Sequence, residues 1–164
     1  MLTALPRQRR NYEMAVKPIP DGYHSVTPYL YAKGAARAIE FYKQAFSAIE
    51  RMKISQPDGR VGHAELQIGD SIIMLADEFP EMGTRSPQSL GGSPVSIHLY
   101  VEDADKVFHQ AVAAGAKVKR PMADQFYGDR LGGIEDPFGH TWWISTHKED
   151  LSSEEIEKRA AASH

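Results

Sequence analysis

The chain has 164 residues, a net charge of −3 and no cysteine. These figures suit one ordinary domain or two very small half-domains, with a core that needs no staples. They exclude disulfides, thiolate nucleophiles and thiolate zinc sites, and a pI near 6.2 argues against the basic face that a nucleic-acid partner requires. No apolar run approaches the roughly 20 residues that span a bilayer.

The opening stretch, MLTALPRQRRNYEM, carries Arg7, Arg9 and Arg10 but lacks the apolar region of a secretory signal. Residues 1–22 are therefore expected to be a flexible tail, and the protein cytoplasmic. Val26 to Ala32 alternates and is rich in β-branched and aromatic residues, which predicts a strand. From Ala35 to Phe46 the period becomes helical, with Ile39, Tyr42 and Phe46 on one stripe. The turn PDGR separates two further strands, and IIMLAD predicts another. Pro80, Pro87, Gly91 and Gly92 mark residues 78–93 as a linker.

Val95 to Val101 again predicts a strand. Asp103 is a plausible N-cap for a helix over about 104–115, which Gly115 would stop. Phe126 and Tyr127 stand in the polar loop DQFYGDR, and FGHTWWISTH predicts the last strand. Ser152 with Glu155 forms a capping box that opens a helix through Ala161, inside a helical tail over 149–164.

The second half repeats the first. Aligned without gaps, Val26–Ile49 and Val95–Val118 share five identities: Val26/Val95, Leu30/Leu99, Tyr31/Tyr100, Ala35/Ala104 and Ala45/Ala114. Random pairing would give about one or two. Further on, Gly69 falls on Gly139, Arg60 on Arg130, and Ile73, Leu75 and Asp77 on Trp143, Ser145 and His147. Each copy therefore reads β-α-β-β-β, one over about 24–77 and the other over about 94–148, within a single domain of 23–148.

The motifs VTPYLYAKGAARAIEFYKQAF, GHAELQIGDSIIMLADE, IHLYVEDAD, DQFYGDR and EDPFGHTWWISTHKED carry a resemblance to the vicinal oxygen chelate superfamily. The nearer resemblance is to the PhnB-like branch of the glyoxalase/bleomycin-resistance proteins. It covers almost everything from Val26 to Asp150. The resemblance implies an α+β fold of tandem βαβββ modules forming a curled-sheet cup, with a ligand in the concavity, and a homodimer.

Strand alternation sorts the side chains. Val26, Pro28, Leu30 and Val95, Ile97, Leu99 are expected to pack on the helices. Thr27, Tyr29, Ser96, His98 and Tyr100 are then left for the cup, with His63 and Glu65 joining them because Ala64, Leu66 and Ile68 read as core. Trp143 and His147 share a face, whereas Trp142 reads as core. Phe126 and Tyr127 are candidate aromatic contacts at a pocket mouth.

Superfamily metal sites carried over residue by residue fall on Thr27, Ile73, Ser96 and Trp143. A one-residue slip gives Pro28, Met74, Ile97 and Ile144. Neither set supplies the imidazole or carboxylate donors that a divalent transition metal wants, so no cofactor is expected. His63, Glu65 and His98 are the alternative metal ligands. They are also the candidate acid/base groups, Glu65 with a pKa raised by an apolar cup. His24 and His140 read as surface or strand-start residues. The expected function is small-molecule binding, such as sequestering a toxic metabolite or antibiotic. The rival is a lyase- or isomerase-type enzyme acting on a small carbonyl or phosphonate-like substrate, and a third possibility is a partner protein with a vestigial cup. No membrane partner is expected.

Overall fold

The computed structural model describes residues 15–163, so most of the expected N-terminal tail lies outside the described residues. The first half folds as β1 (Tyr29–Ala32), α1 (Ala35–Phe46), β2 (Ile49–Ser55), β3 (Val61–Ile68) and β4 (Ser71–Asp77). A 3-10 turn (Pro80–Met82) and the short helix α2 (Pro87–Leu90) follow. The second half gives β5 (Ser96–Tyr100), α3 (Ala104–Ala113), β6 (Lys117–Asp124), β7 (Asp129–Glu135) and β8 (Thr141–His147), and α4 (Ser153–Ala162) ends the described chain. The two four-stranded sheets have the same order, β1-β4-β3-β2 and β5-β8-β7-β6, with the first strand of each parallel to the fourth. This is the expected α+β fold of tandem βαβββ modules with two curled, unclosed sheets. Among the described residues no helix is long and apolar enough to cross a membrane.

Helix α1 forms where the sequence places an apolar stripe: Ala35, Ala38, Ile39, Tyr42 and Ala45 are all buried. The α3 N-terminus is capped by Asp103, whose Oδ1 accepts the Lys106 N–H at 3.0 Å. Strands β1 and β5 start later than the alternation predicts. Val26 is 85% exposed and Val95 67% exposed, so neither joins the core. The cause is proline. Pro28 accepts from Met74 through its carbonyl but has no N–H to continue the ladder, and Pro94 stands just before β5. The expected core face of these strands is therefore short, with Leu30 buried and Ile97 and Leu99 half-buried.

The repeat is real, but its register in the fourth strands differs by one residue from the glycine-anchored alignment. Tyr29 pairs with Met74 where His98 pairs with Trp143, and Leu30 pairs with Leu75 where Leu99 pairs with Ile144. The helix caps agree. Asp77 Oδ1 accepts the Ala35 N–H and Thr146 Oγ1 accepts the Ala104 N–H, each at 2.9 Å. Trp143 thus corresponds to Met74, Ser145 to Ala76 and Thr146 to Asp77. Ile73 and Leu75 sit on the helix-covered face and are buried. The slip arises between the strands: β3 and β4 are joined by Gly69–Asp70 alone, β7 and β8 by Asp136–His140. Arg60 and Arg130 do not correspond in role either. Arg60 lies 4.1 Å over the Phe79 ring and pairs with Asp58 and Glu81, whereas Arg130 grips Asp105 of α3 at 2.5 and 2.8 Å.

The modules meet through α1 and α3, which pack on each other. Phe46 of α1 lies 4.6 Å, ring to ring, from Trp142 of the second module, with Tyr42 stacked on Phe46. The buried carboxylate of Asp136 then locks the junction. It accepts from the Tyr42 hydroxyl at 2.6 Å, the Trp142 Nε1–H at 2.9 Å and the backbone N–H groups of Phe138 and His140. Burial pushes the Asp136 carboxyl up, but His140 and these donors outweigh it and hold it below the usual carboxylate range. The Tyr42 phenol is pushed well above its ordinary value by burial and by the adjacent Asp136 charge.

The outer edges of the two sheets are β2 and β6. Both are interrupted: β2 shifts register between Glu50 and Met52 and between Ile54 and Ser55, and β6 between Val118 and Arg120 and between Arg120 and Ala123.

Candidate functional site

The face of each sheet away from the helices carries the polar side chains. On β3, Ala64 and Leu66 are fully buried under α1 while His63, Glu65 and Gln67 are half-buried on the opposite face. A bulge aims His63. Ile54 pairs with His63 and Ser55 with Val61, which leaves Gly62 as the extra residue. A β-carbon at Gly62 would collide with the Gln56 side-chain amide.

These residues form one relay. Tyr23, from the segment before β1, donates to Glu65 Oε2. Glu65 Oε1 lies 3.2 Å from His63 Nε2, and His63 Nδ1 lies 2.9 Å from the Tyr29 hydroxyl. With the ring neutral, Nε2–H donates to the carboxylate, and Nδ1 accepts from Tyr29. The Tyr23 hydroxyl and, behind it, His63 hold the Glu65 carboxyl below its ordinary value against the effect of burial. This runs against the expectation of a raised pKa and favours Glu65 as the anion that orients His63. The reciprocal bond raises the Tyr23 phenol, and burial raises Tyr29.

The second sheet bears a different network. His98 Nε2 lies 2.8 Å from Ser145 Oγ, and the His98 ring lies 4.7 Å from that of Tyr100. Trp143 Nε1–H donates to Ser96 Oγ at 3.1 Å. The indole lies over Gly133, where a β-carbon would collide with it, so the glycine lets an aromatic plate lie on the sheet. Farther along, the Tyr100 hydroxyl donates to buried Asp129 at 2.9 Å, and Asp129 meets His147 Nδ1 at 2.7 Å while Asp150 meets Nε2 at 2.9 Å.

The two networks meet across the seam between β1 and β5. A cavity of about 480 Å³ there is lined by Tyr29 and Tyr31 from one strand and by Ser96 and His98 from the other. A second cavity of about 810 Å³ lies on the seam too, and there Thr27, His98 and Tyr100 share the lining. The candidates therefore divide. Tyr29, Ser96 and His98 meet at the first cavity, with His63 and Glu65 behind Tyr29 and Trp143 behind Ser96. Thr27 precedes β1 and belongs to the second cavity. Phe126, Tyr127 and His147 line neither cavity. Phe126 and Tyr127 pack edge to face at 5.2 Å, and the Phe126 carbonyl is capped by Arg159 of α4. Sequence reasoning missed two residues. Tyr23 lies in an extended segment with no periodic signal. His140, read as a surface residue, is only 6% exposed and lines the first cavity, because the Asp136 turn folds it inward.

With the register corrected, the inherited metal set is Thr27, Met74, Ser96 and Trp143: two hydroxyls, a thioether and an indole that is already donating. Such a set does not fit a divalent transition metal. Nor do His63, Glu65 and His98 gather as the alternative ligands, since His98 bonds Ser145 in the other sheet. Among the described residues no group of three or more His, Cys, Asp or Glu could hold a metal ion.

The two acids raise the His147 pKa above the ordinary imidazole value, Asp129 first and Asp150 second. A raised folded-state pKa favours the fold below the ordinary imidazole value, and the contribution fades as pH climbs through the raised one. The His147 ring, followed by NMR, should titrate above about 6.5, and Asp150→Asn should bring the midpoint down. A midpoint unmoved by that change would mean that the Asp150 contact does not persist in solution.

Residues 22–144 match the model of the Glyoxalase/Bleomycin resistance protein/Dioxygenase superfamily. The chain belongs to that superfamily. An uncharacterized protein of Mycobacterium bovis is 43% identical over 136 residues, covering 81% of this chain and 90% of its own. The crystal structure of a gene product of Arabidopsis thaliana superimposes with a TM-score of 0.61 at 29% identity, over 76% of this chain and 98% of that one. The fosfomycin resistance protein FosX of Listeria monocytogenes shares the fold, with a TM-score of 0.59 at 17% identity over 81% of this chain and 97% of that one. A mutant of that protein has been solved with manganese(II) and 1S,2S-dihydroxypropylphosphonic acid.

Proposed function

We propose that this protein binds a small organic molecule at the seam between β1 and β5, without the superfamily's metal quartet, and sequesters it. The observation that carries the reading is the relay Tyr23–Glu65–His63–Tyr29, which ends on a cavity shared with His98. The Tyr29 end of the relay is 40% exposed at the cavity, so its hydroxyl is open to a ligand. A cavity of about 480 Å³ lies within the range of small-molecule sites. A thermal-shift screen, run with and without chelator, should return an organic ligand whose effect chelator leaves unchanged. His63→Ala and Glu65→Gln should then weaken that ligand by about tenfold or more while the fold is kept. If both variants bind as tightly as the parent, the relay has no part in recognition.

One observation favours the enzymatic reading. Glu65 fixes the His63 tautomer so that Nδ1 can take a proton from Tyr29, an acid/base arrangement suited to a small carbonyl or phosphonate-like substrate. Turnover of the bound molecule, abolished in Tyr29→Phe, would select it.

A homodimer fits both readings. Val26, Val95 and Tyr100 are each at least 60% exposed around the seam strands, an apolar display that a second copy would cover. Sedimentation at micromolar concentration should give a dimer, and a monomer would contradict this.

A further inference from the structure

His140 sets the chemistry of the seam cavity. Its ring is buried at 6% exposure, and Nδ1 has no hydrogen-bond partner among the described residues; Asp136 Oδ2 stands 3.5 Å from it. With Nδ1 turned to Asp136, the opposite ring edge, which carries Nε2, is the one left for the cavity that His140 lines. A polar group of a ligand at that edge would give the buried ring a partner that the protein itself does not supply there. The charge balance of the lining points the same way. Arg85, His98 and His140 border the cavity, and among the described residues no Asp or Glu does. The remaining wall is largely apolar, with Leu30 on one side, Pro87 and Leu90 of α2 on another, and Ile97 of β5.

We propose that this cavity selects an organic acid with an apolar body, a carboxylic acid or an acidic phenol, whose acidic group meets His140. The proposal rests on the reading of the seam cavity as the ligand site. An acidic O–H suits either state of the ring: its proton passes to a neutral Nε2, or its anion accepts from an imidazolium. Asp136 stays behind the imidazole, already engaged by Tyr42, Trp142 and two backbone donors. A neutral amide can still share a hydrogen bond with the ring, but it has neither an acidic proton to pass to the imidazole nor a charge to meet an imidazolium.

The test uses a matched pair of probes, 2-naphthoate and 2-naphthamide, titrated calorimetrically into the full chain. The acid is expected to bind at least about tenfold more tightly than the amide. His140→Gln should remove that preference. Leu90→Trp, at a residue 63% exposed on the cavity rim, should block both probes without disturbing the fold. The acid–amide comparison on the unaltered protein stands even if His140→Gln fails to fold. Equal binding of acid and amide, or a preference that survives His140→Gln, overturns the proposal while leaving the cavity as a ligand site. Binding of neither probe at millimolar concentration, or binding that ignores Leu90→Trp, overturns the cavity reading as well.

Discussion

Asp136→Ala is expected to cost the fold about 3–5 kcal/mol, the size typical of removing one member of a buried charged network. Four donors converge on this carboxylate: the Tyr42 hydroxyl, the Trp142 indole N–H and the N–H groups of Phe138 and His140. Alanine would leave all four enclosed and unsatisfied. Tyr42→Phe removes a single donor and should cost less, about 1.5–3 kcal/mol. Because Tyr42 belongs to the first module and Asp136 to the second, the loss falls on their junction as well as on the turn. The pH dependence has a definite sign. A carboxyl held below its ordinary value contributes stability above the unfolded-state pKa, and that contribution disappears as pH falls through the folded-state value. Urea denaturation at neutral pH and in acid would show it. If Asp136→Ala unfolds at the parent's urea midpoint, the carboxylate is not the lock described.

Asp77→Ala should be nearly as damaging, at about 2–4 kcal/mol. One Asp77 oxygen accepts from Gly34 and Ala35 at the start of α1, both at 2.9 Å, and the other accepts from the Val61 N–H at 2.7 Å. Asparagine cannot rescue it, because one of the two positions would then present N–H to N–H. The second module offers an internal control. Thr146 occupies the equivalent place and caps only Ala104, so Thr146→Ala should cost about 1 kcal/mol. Neither change should alter affinity for a seam-cavity ligand in the protein that remains folded. A large affinity loss in Asp77→Ala with stability unchanged would return Asp77 to the cup, where the glycine-anchored alignment put its face.

That alignment shows what the sequence could and could not say. Helix α1 was legible because its stripe depends on residues three and four apart within one element. The face assignment on β3 was legible for the same local reason: Ala64 and Leu66 can only be core once they alternate with His63 and Glu65. The partnering of β4 with β8 was not, because it depends on two turns of different length. Gly69 and Gly139 both have positive φ, at 58° and 92°, and look equivalent for that reason alone. The strand ladders, not the glycines, decide the register, and they put Met74 opposite Trp143 in role. His140 was hidden for a similar reason. Nothing in the string DPFGH says that the aspartate folds back onto the histidine N–H and turns the ring inward. Tyr23 was hidden because a hydrogen bond across 42 positions leaves no periodic trace.

The interrupted outer strands have a consequence for how the chain behaves in a crowded solution. A sheet edge with free N–H and C=O groups is a template on which another molecule can stack, and β2 displays Ile49, Met52 and Ile54 at 41–60% exposure. Its two register breaks twist the edge out of plane, and Glu50, Arg51 and Lys53 stand among the apolar residues, so an incoming strand would have to bury charge. On β6, Pro121 withholds a donor in mid-strand, within the second break and near Lys117, Lys119 and Arg120. These irregularities oppose edge-to-edge pairing at the open margins of the unclosed sheets.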